Sequence, residues 1–219
     1  YDVIEMINLI IEDTTGGGEG HVKRVASHCR TLAAAMGLEK NQVTQVYLAG
    51  LMHEIGKVSL SDTLAKSIEN ELSRAELVEK QTHAVKGAEI LQTVPHLKAI
   101  GTAVKHQYER FDGSGVPDHL IGTNIPIASR ILTVVNEFDK LVLGRISEQK
   151  LSQQQAIDFL KKESKTYFDP EVVKAYVNLL NSEISLDQHN IDLCLGVNML
   201  EPGMHLSQDL LNKQGAVVL

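Results

Sequence analysis

The chain has 219 residues, 43% of them apolar and 22% charged, a composition ordinary for a globular protein able to bury a sizeable core. Twenty-one Lys and Arg stand against 28 Asp and Glu, a formal charge of −7, which argues against general binding to nucleic acid polymers, since that depends on many cations neutralising phosphates. No apolar run approaches the roughly 18 residues that span a bilayer, and two distant cysteines, Cys29 and Cys194, argue against a disulfide-built scaffold and for the cytoplasm.

Helical periodicity dominates as far as about residue 182. Val3, Ile4, Ile7, Ile10 and Ile11 form a first apolar stripe, ended by Asp13-Thr14-Thr15 and the linker-like run Gly16-Gly17-Gly18. A second helix is expected from His21 to Met36, with Val22, Val25, Ala26, Cys29, Leu32 and Ala33 on one face and Gly37 as its C-terminal cap. A third is expected over Asn41–Ile55, ended by Gly56, and shorter helical stretches follow near Arg74–Lys80, His83–Thr93 and Leu97–Gln107. A Gly- and Pro-containing loop occupies Asp112 to Pro126. Then come a long helix from Ile127 to about Leu143, another from Ser152 to Lys162, and a last one capped at Asp169-Pro170.

Beyond Asn181 the texture changes to short strand-like runs around turns. The expected organisation is a helix and linker over residues 1–20, a helical domain over 21–184, and the start of a small β-rich module over 185–219. The chain begins at Tyr1 and ends in the apolar run Ala216-Val217-Val218-Leu219, as expected of a piece of a longer protein.

On the third helix the apolar face Val43, Val46, Tyr47, Gly50 and Leu51 continues into His53 and Glu54. A carboxylate on a buried stripe is costly unless it is paired or bound to metal. Lys57, three residues on, offers the structural alternative of a Glu–Lys pair. His21 and His83 each begin a helix, and with His53 and Glu54 they could converge on a nitrogen and oxygen site suited to iron, manganese or zinc rather than calcium. His28, His96, His119, His189 and His205 have no comparable setting and read as surface or structural. The glycine run before His21 lacks the Lys-Ser/Thr of a phosphate loop, and Phe111-Asp112-Gly113-Ser114-Gly115-Val116-Pro117 demands a defined turn.

Taken in order, these segments resemble the HD-GYP family of metal-dependent phosphohydrolases over roughly Gly20 to Leu180. The landmarks are His21-Val22-Lys23-Arg24-Val25-Ala26, Leu51-Met52-His53-Glu54-Ile55-Gly56-Lys57, His83 with Gly87-Ala88-Glu89-Ile90-Leu91, Glu109 to Pro117, Ile131 to Leu141, and Phe168-Asp169-Pro170-Glu171-Val172-Val173. The resemblance implies a mainly α HD-domain helical bundle with a small β-rich C-terminal segment. It also implies cleavage of cyclic di-GMP in bacterial signalling, with clustered metals, often iron or manganese.

Carried over motif by motif, the first metal would be held by His21, His53, Glu54 and Asn136. The second would be held by Glu54, His83 and the positions of Gln107 and Tyr108, with His106 as a substitute. Glu54 and Lys57 would serve catalysis, and Lys57, Arg145, Gly113 and Gly115 would face the substrate. The family's Asp is Glu54 in the His-Asp pair and Asn136 in the late helix, and its His-His is Gln107-Tyr108. Gly17, Val116 and Glu148 replace a Glu, a Tyr and a basic residue. An amide and a phenol are poor replacements for imidazoles.

These departures predict a degenerate module with weak or absent phosphodiesterase activity and at most one tightly bound divalent metal. The alternatives are an active phosphohydrolase with a reorganised site and a metal-free scaffold like the related HDOD domains. The expected partners are cyclic di-GMP and signalling proteins, with no membrane in this segment; an oligomer is left open. The tail from Asn198 to Leu211 resembles a small β-rich segment found beside such domains in signalling proteins, many of them response regulators.

Overall fold

The expected helices assemble into a bundle in which α1 (His21–Ala35) and α2 (Lys40–Met52) pack side by side. The computed structural model describes residues 20–146 and 149–182. The first apolar stripe, the glycine linker, Glu148 and the β-rich tail lie outside the described residues.

The apolar face of α1 is buried as its spacing predicts, and the helix closes at Gly37, whose φ of 76° suits a residue without Cβ. α2 stops at Met52, three residues short of the expected end, and a 3₁₀ turn over Ile55–Ser59 follows. His53 and Glu54 therefore occupy the bend between the two rather than a helix face. Gly56 caps nothing. A Cβ there would lie 1.9 Å from the carbonyl oxygen of His83, so its role is to let the next layer approach.

That layer is α5 (His83–Gln92), which packs on the 3₁₀ turn and on α6 (Lys98–Lys105). Between them the chain folds into the short α3 (Asp62–Lys66) and α4 (Arg74–Gln81), a stretch whose first part the periodicity left unassigned. The shared core holds Val22, Ala26, Ala49, Leu51, Met52, Ile55, Leu91, Ile100, Ala103 and Val104. Each large side chain among them contributes roughly 1.5–3 kcal/mol by leaving water.

α7 (Ile127–Leu143) crosses α1 and α2 and buries Ile131, Leu132, Val134 and Val135. α8 (Gln153–Lys162) packs on it and starts where Ser152 accepts the Gln155 N–H at 3.2 Å. α9, over residues 170–182, starts where Asp169 accepts the Glu171 N–H at 2.8 Å. Among the described residues the only β pairing is an isolated bridge between Ser164 and Phe168. The fold there is all-α.

Candidate metal centre

The start of α1 and the bend after α2 bring His21, His53 and Glu54 together, each buried, with one ligand atom apiece lying within 4.8 Å of the others. His21 is the first residue of α1. Its Nδ1 lies 2.5 Å from Oδ2 of Asp139 on α7, and its Nε2 lies 3.6 Å from Oε1 of Glu54. A carboxylate accepts only, so Nδ1 carries a proton and Nε2 is the nitrogen turned toward Glu54.

His53 repeats the arrangement. Its Nδ1 donates to the carbonyl oxygen of Gly50 at 2.7 Å, one turn back on α2, while Nε2 is buried without a partner. Burial, only partly offset by Glu54, lowers its pKa from 6.5 to about 4 and keeps it neutral. Burial works against the charge of Glu54, but Lys57, His21 and His53 outweigh it and hold the carboxyl well below its usual range. Lys57 donates to Glu54 Oε1, while Oε2 is buried and unpaired.

Two imidazoles and one ionised carboxylate, with orphaned buried atoms at His53 Nε2 and Glu54 Oε2, fit a divalent metal. The donor set suits iron, manganese or zinc. The Asp139 carboxylate, hydrogen-bonded to Arg24 Nε at 2.9 Å as well as to His21, is the outer partner that metal-ligating histidines commonly have.

Two members of the trio, His53 and Glu54, line a cavity of about 170 Å³. His53, Glu54, Lys57, His83, Tyr108, Asn136 and Arg145 all line it, so seven of the residues singled out from the sequence share one space. The far wall comes from α3, the 3₁₀ turn Glu69–Glu71, α4 and α7, which supply Lys66, Glu69, Lys80 and Lys140 in that order. Five cations thus face two carboxylates, Glu54 and Glu69, an excess of three positive charges in a chain of net charge −7.

His83 lines the cavity but stands apart from the trio. Its Nε2 is 2.9 Å from the Tyr108 hydroxyl, and its Nδ1 has no partner among the described residues. Burial raises the Tyr108 pKa, so the phenol stays neutral. Asn136 turns a buried, unpaired Oδ1 into the same region.

Other expected residues lie elsewhere. Gln107 does not line the cavity and donates its amide to the carbonyls of His53 and Val104, both at 3.1 Å. His106, weighed as a substitute ligand, has both nitrogens engaged away from the trio, Nδ1 on Thr102 O and Nε2 on Asp118, each at 2.9 Å. Gly113 and Gly115, expected to face substrate, are turn residues outside the cavity wall. A Cβ on Gly113 would meet Ile121 at 2.5 Å, and one on Gly115 would meet Arg110 N at 2.2 Å. The turn is tied down by Glu109, whose carboxylate accepts the N–H groups of Asp118 and Leu120.

A family model of the HD domain matches residues 5–172. The chain belongs to the HD-domain family. The HD-GYP resemblance of its motifs agrees with the relatives of this HD domain. It is 29% identical over 181 residues to the cyclic di-GMP phosphodiesterase response regulator RpfG of Xanthomonas campestris, covering 81% of this chain and 47% of that one. It is 30% identical over 156 residues to the 3'3'-cGAMP-specific phosphodiesterase 2 of Vibrio cholerae, covering 70% and 30%.

A solved cyclic GMP-AMP-specific phosphodiesterase of V. cholerae shares the fold with a TM-score of 0.68 at 18% identity, over 95% of this chain and 56% of that one. The chain spans half or less of the length of these curated relatives.

Asp139 and the group Glu69, Lys80, Glu137 and Lys140 were not foreseen from sequence. Asp139 lies one turn beyond Asn136 on α7, and this i, i+3 spacing was the signal available. Lys80 and Lys140 are charged residues at buried positions that line one cavity, which only the tertiary structure reveals.

Proposed function

We propose that this HD domain is a bacterial signal-transduction module of HD-GYP type that holds one divalent metal, binds a phosphate-bearing ligand of the cyclic di-GMP class, and hydrolyses it weakly or not at all. The observation that carries the reading is the His21–His53–Glu54 trio, of which His53 and Glu54 line a cationic cavity. A scaffold would have no use for two imidazoles and a carboxylate turned towards one another.

A divalent metal on the trio would supply Lewis acidity to a phosphate oxygen. The chain's own groups orient and hold. Asp139 fixes the His21 tautomer and Gly50 O that of His53, so both Nε2 atoms face inward. Lys57 and Arg145 line the approach and can balance phosphate charge. Two features support loss of a second metal. The Tyr108 hydroxyl occupies Nε2 of His83, and Asn136 offers a neutral oxygen where a carboxylate would bring charge.

Relatives named for cyclic di-GMP and 3'3'-cGAMP support the ligand class, and one named as a response regulator supports a place in signalling with protein partners. The reading takes the HD domain as residues 21–184, followed by a second module, in the cytoplasm.

The test is to count metals per chain on protein purified anaerobically with iron and manganese supplied, and to assay cyclic di-GMP turnover alongside. One metal and little turnover are expected. In the combined variant Asn136→Asp, Gln107→His, Tyr108→His, the count should reach two and turnover should rise at least about tenfold. Two metals and His53-dependent turnover in the unsubstituted chain would overturn the reading.

A further inference from the structure

Tyr108 is held from two sides. Its carbonyl oxygen accepts the Val116 N–H at 3.1 Å, which ties its backbone to the turn, and its ring stands edge-on to the His83 imidazole with centroids 5.6 Å apart. Its hydroxyl reaches His83 Nε2 at 2.9 Å, and both residues line the cavity that His53 and Glu54 line.

The direction of that hydrogen bond decides what the hydroxyl is free to do. His83 is 1% exposed, and its Nδ1 is buried with no partner among the described residues. If the phenol donated to Nε2, the ring proton would sit on Nδ1 and leave a buried N–H without an acceptor, the rarer kind of orphan. With a proton on Nε2 the imidazole donates to the phenol oxygen, and the phenol O–H is left for another acceptor. A doubly protonated ring would donate in the same way, so the charge of His83 does not alter the outcome.

We propose that Tyr108 is a ligand-binding residue whose hydroxyl, oriented by His83, donates to a non-bridging phosphate oxygen of the bound cyclic dinucleotide. The inference rests on the reading that this cavity takes such a ligand, and it gives a role to a position where the resemblance expected an imidazole for a second metal. The O–H needs an acceptor, and a phosphodiester oxygen is one that only accepts. Lys57 and Arg145 line the same cavity and can balance the phosphate charge. A phenol holds a phosphate without generating hydroxide, so binding outlives cleavage.

The structural alternative is that Tyr108 only satisfies His83 by donating to Nε2. The test separates the two roles. Binding of cyclic di-GMP and of 3'3'-cGAMP to the metal-loaded chain is measured by calorimetry and repeated on Tyr108→Phe, which keeps the ring beside His83 and lacks the hydroxyl. The phosphorothioate stereoisomers of cyclic di-GMP, in which sulfur replaces a non-bridging oxygen and accepts a hydrogen bond less well, are run on both chains.

Tyr108→Phe is expected to bind the dinucleotide at least about tenfold more weakly, the scale of a hydrogen bond to a charged group, with metal content unchanged. One phosphorothioate stereoisomer should bind the unsubstituted chain more weakly than its oxygen parent, and that deficit should disappear in Tyr108→Phe. In the zinc-loaded unsubstituted chain, isotope-labelled at tyrosine Cζ, the Tyr108 resonance should move when dinucleotide is added, a reading that holds whether or not the variant folds. Unchanged affinity in a folded Tyr108→Phe, or a Tyr108 resonance unmoved by bound dinucleotide, would overturn the proposal while leaving the dinucleotide reading standing. Failure of both dinucleotides to bind the unsubstituted chain would overturn both.

Discussion

The imidazole of His21 and the carboxylate of Asp139 lie 2.5 Å apart, Nδ1 to Oδ2, across 118 residues of chain. Burial works against the charge of Asp139, but hydrogen bonds from His21 and Arg24 outweigh it and keep the carboxyl below its usual range. The pair thereby commits the other nitrogen of His21 to the trio before any ion arrives.

Asp139→Asn preserves shape but can offer an amide N–H to Nδ1, which turns the tautomer round and places a proton on Nε2. Metal affinity should fall about 10–100-fold, with helical content unchanged. Titration of the metal-free protein, followed by circular dichroism, checks it; unchanged affinity would remove Asp139 from the metal centre.

Acid should destabilise the metal-free chain in a defined window. His53 has a folded pKa of about 4 against 6.5 when free, so between these values the unfolded state holds more protons and stability falls as pH drops. Across the whole window the loss is about 3 kcal/mol. Urea unfolding at several pH values between 7.5 and 4 measures it, and His53→Gln should flatten the slope.

Gly56→Ala should be among the most damaging small substitutions. Its Cβ would fall on the backbone of His83, where the nearest atoms are main chain and cannot rotate aside. A loss of about 3 kcal/mol or more is expected from chemical denaturation, well beyond the typical effect of adding one methyl group.

Much of the fold was legible because burial of one helix face writes a 3.6-residue period into the chain. The bounds of α7 match those read from Ile127 to Leu143, and Ser152 and Asp169 cap where expected. The third helix misled because His53 and Glu54 continue its apolar stripe. The backbone leaves the helix just there, to turn both side chains toward the trio and to bring Gly56 against α5. Gly113 and Gly115 lie outside the cavity wall and are required by their turn, and a glycine required by a turn and one required by a ligand look the same in sequence.

The sequence by itself determined the helical class, the family and the residue types able to hold a metal, because periodicity and motif order are local properties of the chain. Only the tertiary structure decided that Asp139 backs His21, that His106 faces away towards Asp118, and that Lys80 is buried in the wall without an ion-pair partner among the described residues. Those relations join residues distant in sequence, and packing such as that of α1 against α7 sets their distances in a way that no single segment encodes.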